Sequence, residues 1–142
     1  MPLWIILIGA AAIFLVWSLG PLLKHDRYRR TIRERGSVRA AWETMYPAAM
    51  PTVECVLSLL CDAFLFKRRY CFHFHPDDRL LDVYKGTTGP IADALQIERL
   101  TMDLRRTSGV DILTIVCENT VLREIVDTVL SGGGAEGQRS ST

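Results

Sequence analysis

Hydrophobic and polar positions divide the chain into one uninterrupted apolar run and three amphipathic segments. The run, residues 3–23, contains no charged side chain. The amphipathic segments begin near Pro51, Ile91 and Thr120, and their apolar residues recur every three or four positions, which is the spacing of one helix face. The pattern therefore predicts an all-α protein, with an N-terminal apolar helix and a small helical domain over residues 51–130.

The apolar run is long enough to cross a membrane. Its 21 residues would span about 31 Å as a helix, against about 30 Å for a bilayer core. Trp4 and Trp17 lie towards its two ends, where aromatic rings favour the membrane interface. A cleaved signal peptide is the alternative, but no basic residue precedes the run and no Ala-x-Ala site follows it, as cleavage would require. We therefore expect a retained, single-pass transmembrane helix.

The residues that follow the run are basic. Residues 24–46 hold seven Lys and Arg side chains and three acidic ones. Because cytoplasmic flanks carry the Lys/Arg excess, we expect the N-terminus outside the plasma (inner) membrane and the rest in the cytoplasm. Residues 24–50 are then a juxtamembrane connector. Lys24, Arg27, Arg29 and Arg30 could bind anionic lipid, or they could only set the topology. No nucleic-acid motif accompanies this charge, so no nucleic-acid partner is expected.

The stretches between the amphipathic segments carry weaker patterns. Residues 71–75 alternate apolar and polar side chains, which predicts an extended segment, and residues 85–90 have the composition of a flexible loop. Residues 110–117 could by themselves be a buried strand. Thr120, or Asn119 before it, is expected to cap the last helix.

The segment that begins at Asp93 carries a family resemblance. Its motif is Asp93-Ala94-Leu95 followed by Leu100, Met102, Leu104 and Ile112. This motif is similar to helix II of the acyl carrier proteins, which opens with Asp-Ser-Leu. The resemblance implies a four-helix bundle over residues 51–130, in which residues 110–117 form a short helix or turn, followed by a disordered tail over residues 131–142. In that family the Ser carries the phosphopantetheine arm. The matching residue here is Ala94, which has no hydroxyl, so we expect no phosphopantetheine and no other cofactor.

The resemblance also implies a partner-binding surface, because partners of carrier proteins read the start of helix II. In this sequence that surface comprises Asp93, Leu95, Gln96, Arg99 and Met102. Helix II is normally strongly acidic, whereas here arginines offset the acidic residues, so a different partner is expected. The expected function is that of a membrane-tethered, non-acylated binding module that docks on a protein at the cytoplasmic membrane surface, such as a lipid or acyl-chain enzyme. The alternative is a single-pass protein whose basic connector binds anionic lipid.

Other candidate chemistry is weak. Cys71, His73 and His75 would share one face of an extended segment, and with Cys55 or Cys61 they could form a zinc site. No Cys-x-x-Cys pair is present, however, and helical cysteines are usually buried, so no metal is expected. The sequence has no nucleophile elbow, phosphate loop or dinucleotide fingerprint. We therefore expect a protein that is not an enzyme.

Overall fold

A computed structural model describes residues 8–10, 13–15, 27–87 and 95–133. These residues form α-helices, 3₁₀ helices and turns, with one isolated β-bridge between Arg79 and Val121 and no strand. The prediction of an all-α protein is confirmed. Among the described residues, no helix combines the length and the apolar character that a bilayer crossing needs. Most of residues 3–23, where we expected the transmembrane helix, lie outside the described part of the chain, as do residues 134–142 of the predicted tail. Residues 131–133, which we expected to be disordered, instead form the last turn of the final helix.

Six α-helices and two 3₁₀ helices follow one another between residues 27 and 133 of the described chain. They are α1 (27–34), α2 (Arg39–Met45), α3 (Met50–Ala63), a first 3₁₀ helix (Arg68–His73), α4 (Leu80–Thr87), α5 (Leu95–Ser108), a second 3₁₀ helix (Ile112–Thr114) and α6 (Leu122–Gly133). Helices α3, α5 and α6 correspond to the three amphipathic segments of the sequence. The second 3₁₀ helix lies where the resemblance implied a short helix, so the strand interpretation of residues 110–117 is wrong.

Helix α3 is the centre of the packing. Pro51 lies in its first turn, where a missing N–H costs nothing. One face of the helix is buried, with residues spaced three or four apart: Val53, Val56, Leu57, Leu60 and Cys61. This face contacts the first 3₁₀ helix, α5 and α6, so most of the core forms around one amphipathic helix.

The core also includes the residues that we expected to form a connector. Ile32 of α1 and Trp42 of α2 have no exposed surface. The Trp42 Nε1–H donates a hydrogen bond to the Phe74 carbonyl at 2.8 Å, and Arg35 forms an ion pair with Asp78. Residues 27–50 are therefore part of the packed unit, which begins well before Pro51. Many arginines surround the few apolar residues of this segment, so its sequence pattern does not indicate that it packs into the core.

Two predicted connections have a different structure. Residues 71–73 are not extended, because the first 3₁₀ helix covers Arg68–His73, whereas Phe74 has extended backbone angles. Residues 85–87, which we expected to be loop, form the last turn of α4; the remaining predicted loop residues, 88–90, are outside the described chain. In both places burial of a few apolar side chains in a short helix overrides a weak local pattern.

The start of α6 differs from the expected cap. The Thr120 hydroxyl accepts a hydrogen bond from the Cys117 N–H at 2.8 Å, so it faces the preceding turn and not the helix. The carboxylate of Glu124 instead accepts the Val121 N–H at 3.0 Å, which is one half of a capping box. The prediction that Thr120 caps α6 is therefore wrong in its detail, although the helix begins where the pattern placed it.

Backbone atoms complete the start of α6. Three hydrogen bonds connect residues 76–80 to residues 120–123: Leu122 N–H to the Asp78 carbonyl (2.9 Å), Arg123 N–H to the Pro76 carbonyl (3.0 Å) and Leu80 N–H to the Thr120 carbonyl (2.9 Å). We call this set of bonds the clasp. It satisfies N–H groups that a helix start leaves without intrahelical partners, and it fixes α4 beside α6.

Candidate functional site

The predicted partner-binding residues belong to the first half of α5. Leu95 is 59% exposed and Met102 is 62% exposed, although both are large and apolar. Arg99 lies between them, with its Nε 3.9 Å from the Asp103 carboxylate. Gln96 is half-buried, and its Oε1 has no hydrogen-bond partner in the described structure. Asp93, together with the predicted attachment position Ala94, lies outside the described residues.

Leu95, Arg99 and Met102 share one side of α5, and we call them the α5 stripe. Their spacing of four and three residues places them on one face of the helix. The opposite face carries Leu100 and Leu104, which are buried in the core. Exposed apolar side chains grouped on one surface are typical of interaction sites, and Met and Arg are enriched in interfaces. The arrangement suits contact with another macromolecule.

An apolar groove runs between α3, α5 and α6. Its volume is about 500 Å³, and Val56, Leu59, Leu104 and Val129 contribute to its walls. None of the described residues that line it has a charged side chain. The hydroxyl of Ser108, at its edge, already donates to a carbonyl of its own helix. The groove can therefore accept an apolar group but offers few polar contacts to orient it.

The four cysteines are free thiols in different environments. Burial raises the pKa of the Cys61 thiol to about 12 and also raises that of Cys71. Cys117 is exposed, and its pKa is lowered by the Thr120 hydroxyl, 3.2 Å from its sulfur, and by neighbouring backbone N–H groups. Cys117 therefore forms a thiolate more readily than the buried thiols.

The imagined zinc ligands do not converge. Cys71 is buried, His73 Nδ1 lies 3.0 Å from the Ile32 carbonyl, and His75 Nδ1 lies 3.7 Å from the Asp77 carboxylate. In the described ranges, no group of three or more His, Cys, Asp or Glu residues is arranged to hold a metal ion. The shared face that we inferred depended on an extended segment, which the first 3₁₀ helix replaces.

The predicted lipid-binding residues have separate environments. Lys24 lies outside the described residues, whereas Arg27 and Arg30 are exposed on α1. The Arg29 guanidinium donates hydrogen bonds of 3.1 Å to the carbonyls of Phe64 and Leu65. It thereby satisfies carbonyl groups at the end of α3. This is a structural role, and the partial negative charge at a helix C-terminus favours a cation there. No local pattern in the sequence indicates this contact, because 35 residues separate Arg29 from Phe64.

Comparison of the chain with protein-family models, with curated proteins and with solved structures gives no match.

Proposed function

We propose that the protein is a membrane-tethered, non-acylated binding module of acyl-carrier-like architecture, and that the α5 stripe docks on a protein partner. The observation that carries the proposal is the exposure of Leu95 and Met102 on one face of an otherwise well-packed helix. Covering such a side chain contributes up to about 1.5–3 kcal/mol. The apolar run at residues 3–23 would keep the domain near the membrane and raise its effective concentration for partners there.

The order of elements supports the acyl-carrier-like part of the proposal. Helix α3, a long connection, α5, a short 3₁₀ helix and α6 follow one another in the order of the family's helices. The additions are the first 3₁₀ helix and α4 within the connection, and α1 and α2 before α3. Ala94 occupies the position of the attachment serine. Such a module would bind a lipid or acyl-chain enzyme at the membrane surface and regulate or recruit it, without carrying a substrate itself.

The docking surface can be tested by crosslinking. A photoreactive residue at Arg99 of the full-length chain should capture a defined partner in membranes of the native cell. The double variant Leu95→Ser and Met102→Ser should reduce that capture at least about tenfold, since tenfold corresponds to about 1.4 kcal/mol. Met45→Ser is the matched control, because Met45 is an exposed apolar residue on α2. Equal capture by the double variant and the control would exclude the α5 stripe as the docking surface.

The architecture has its own test. The full-length protein and an Ala94→Ser variant are incubated with a broad-specificity phosphopantetheinyl transferase and coenzyme A, and intact masses are measured. We expect the parent to stay unmodified and the variant to gain one arm. If neither gains mass, the acyl-carrier-like docking face is not present. If the parent is modified, another hydroxyl carries the arm and the module is not a non-acylated one.

A further inference from the structure

A small cavity with cationic walls lies where α1 meets the turn that follows α3. Its volume is about 170 Å³. The lining consists of six residues: Arg33, Leu65, Phe66, Lys67, Arg69 and Tyr70. We call it the cationic pocket. It is smaller than the range of about 300–1,000 Å³ that is usual for sites of drug-sized ligands, so it suits a single compact group.

Two guanidinium groups in the pocket converge on one aromatic ring. The Cζ atoms of Arg33 and Arg69 lie 5.9 Å and 4.8 Å from the centroid of the Tyr70 ring. Arg69 Nη2 also donates a hydrogen bond to the Tyr70 hydroxyl at 2.8 Å. Both guanidinium groups therefore lie beside the Tyr70 ring, which is itself part of the pocket lining.

The cations of the pocket lack carboxylate partners in the described part of the chain. Within residues 27–87 and 95–133, none of Arg33, Lys67 and Arg69 forms an ion pair with Asp or Glu. The neighbouring Arg68 is different, because its Nη2 lies 2.6 Å from the Asp62 carboxylate. Three cations thus remain available around one cavity, and Arg in particular matches the oxygens of phosphate through paired N–H donors.

An exposed leucine stands at the rim of the cationic pocket. Leu65 is 69% exposed and has a φ of 59°. It follows the end of α3, where the Phe66 N–H bonds back to the Cys61 carbonyl at 2.8 Å. This is the Schellman position that glycine normally occupies, because a left-handed conformation is unfavourable for a residue with a side chain. Arg29 holds the Leu65 carbonyl from α1, so an apolar side chain is presented to solvent from a fixed backbone.

We propose that the cationic pocket binds the phosphate monoester headgroup of a membrane lipid, with Leu65 inserted among the acyl chains beside it. Three cations complement a monoester, which carries a charge of about −1.5 to −2 at neutral pH, better than a singly charged diester. An apolar residue next to basic residues is the combination that peripheral membrane contacts use. This site is separate from the α5 stripe, so it does not depend on the proposed docking function.

Binding can be measured by titrating the full-length protein in a neutral detergent with short-chain phosphatidic acid. We expect saturable binding to one site, weakened by salt and much stronger than binding of short-chain phosphatidylcholine. Arg33→Gln and Arg69→Gln should each weaken binding about tenfold or more, because each removes charge-assisted hydrogen bonds. Lys67→Gln should weaken it several-fold and, since Lys67 makes no side-chain hydrogen bond or ion pair in the described structure, should not affect folding.

The controls separate the proposal from its alternatives. Arg68→Gln removes the same charge one residue away but outside the lining, so it should leave the affinity almost unchanged. An equal loss with Arg68→Gln would mean that general charge attraction, not the pocket, binds the lipid, and it would overturn the proposal. Inorganic phosphate and Leu65→Ser distinguish the two sources of phosphate. If inorganic phosphate binds as tightly as the lipid and Leu65→Ser has no effect, the pocket is a site for free phosphate and the lipid assignment is wrong.

Discussion

Replacement of Trp42 tests whether α1 and α2 belong to the folded domain. The Trp42 side chain is fully buried, its ring stacks on Tyr46 at 5.9 Å, and its Nε1–H donates to the Phe74 carbonyl at 2.8 Å. In a basic connector outside the domain, a tryptophan would be solvent-exposed and its loss would change the free energy of unfolding by less than about 0.5 kcal/mol. The two possibilities therefore predict clearly different results.

The structure sets the expected magnitudes. Trp42→Phe keeps most of the apolar contact but leaves the Phe74 carbonyl without its donor, which costs about 1–3 kcal/mol. Trp42→Ala also opens a cavity, and such truncations cost about 3–5 kcal/mol. Because domains of this size are stable by only about 5–15 kcal/mol, the alanine variant should lie close to the limit of folding. The free energy of unfolding should therefore increase in the order Trp42→Ala, Trp42→Phe, wild type. This order by itself distinguishes a packed tryptophan from an exposed one.

Urea unfolding followed by far-ultraviolet circular dichroism gives the free energies. Met45→Ala is the matched control on the same helix, because Met45 is 44% exposed and its loss should cost less than about 0.5 kcal/mol. If Trp42→Ala unfolds at the same urea concentration as Met45→Ala, then α2 is not packed on α3 in solution. The assignment of residues 27–50 to the domain would then have to be withdrawn.

Three further outcomes follow from single contacts. Gly86→Ala should destabilise the domain by about 1–3 kcal/mol, because a Cβ at Gly86 would collide with the Tyr28 ring. Thermal unfolding measures this change, and a variant as stable as the wild type would contradict the contact between α4 and α1. With substoichiometric iodoacetamide at neutral pH, mass spectrometry should find Cys117 alkylated well before the buried Cys61, and the reverse order would contradict the thiol environments. Burial and the hydrogen bond to the Asp127 carboxylate raise the pKa of Tyr46. The folded state therefore keeps a proton that the unfolded chain loses near pH 10. The free energy of unfolding should be unaffected by this group below about pH 10 and should fall above it. Tyr46→Phe should flatten this decline, and an unchanged slope would exclude Tyr46 as its source.

The sequence predicted the long amphipathic helices well and the short elements poorly. Helix α3 begins within one residue of its predicted start at Pro51, because a periodic apolar face and an initial proline agree with each other. The end of the first 3₁₀ helix carries a pattern that predicts an extended segment, since Phe72 and Phe74 alternate with polar residues. That local pattern has little weight when both rings are buried by contacts from distant parts of the chain.

The two candidate sites also differ in how far the sequence predicts them. Leu95 and Met102 are exposed, as a partner-binding surface requires, but that surface was inferred from the family resemblance and not from the helical periodicity. The cationic pocket could not be predicted, since Arg33 and Arg69 meet at Tyr70 only after the chain has folded. In the sequence, the basic charge around Arg33 indicates only membrane topology or lipid binding by the connector. Spatial convergence of like charges, rather than their number, distinguishes a site from a solvated surface.

The clasp has a consequence for how the chain could be divided. Its two sides come from residues 76–80 and 120–123, which lie before and after the stretch 88–94. If the chain were cut within that stretch, one fragment would keep α1 to α4 and the other would keep α5 and α6. The clasp, the buried faces of α3 and α5, and the Tyr46 hydroxyl bound to Asp127 would all lie between the fragments. The domain is therefore suited to reassembly from two polypeptides, and two intact chains at high concentration could exchange their C-terminal helices through the same contacts.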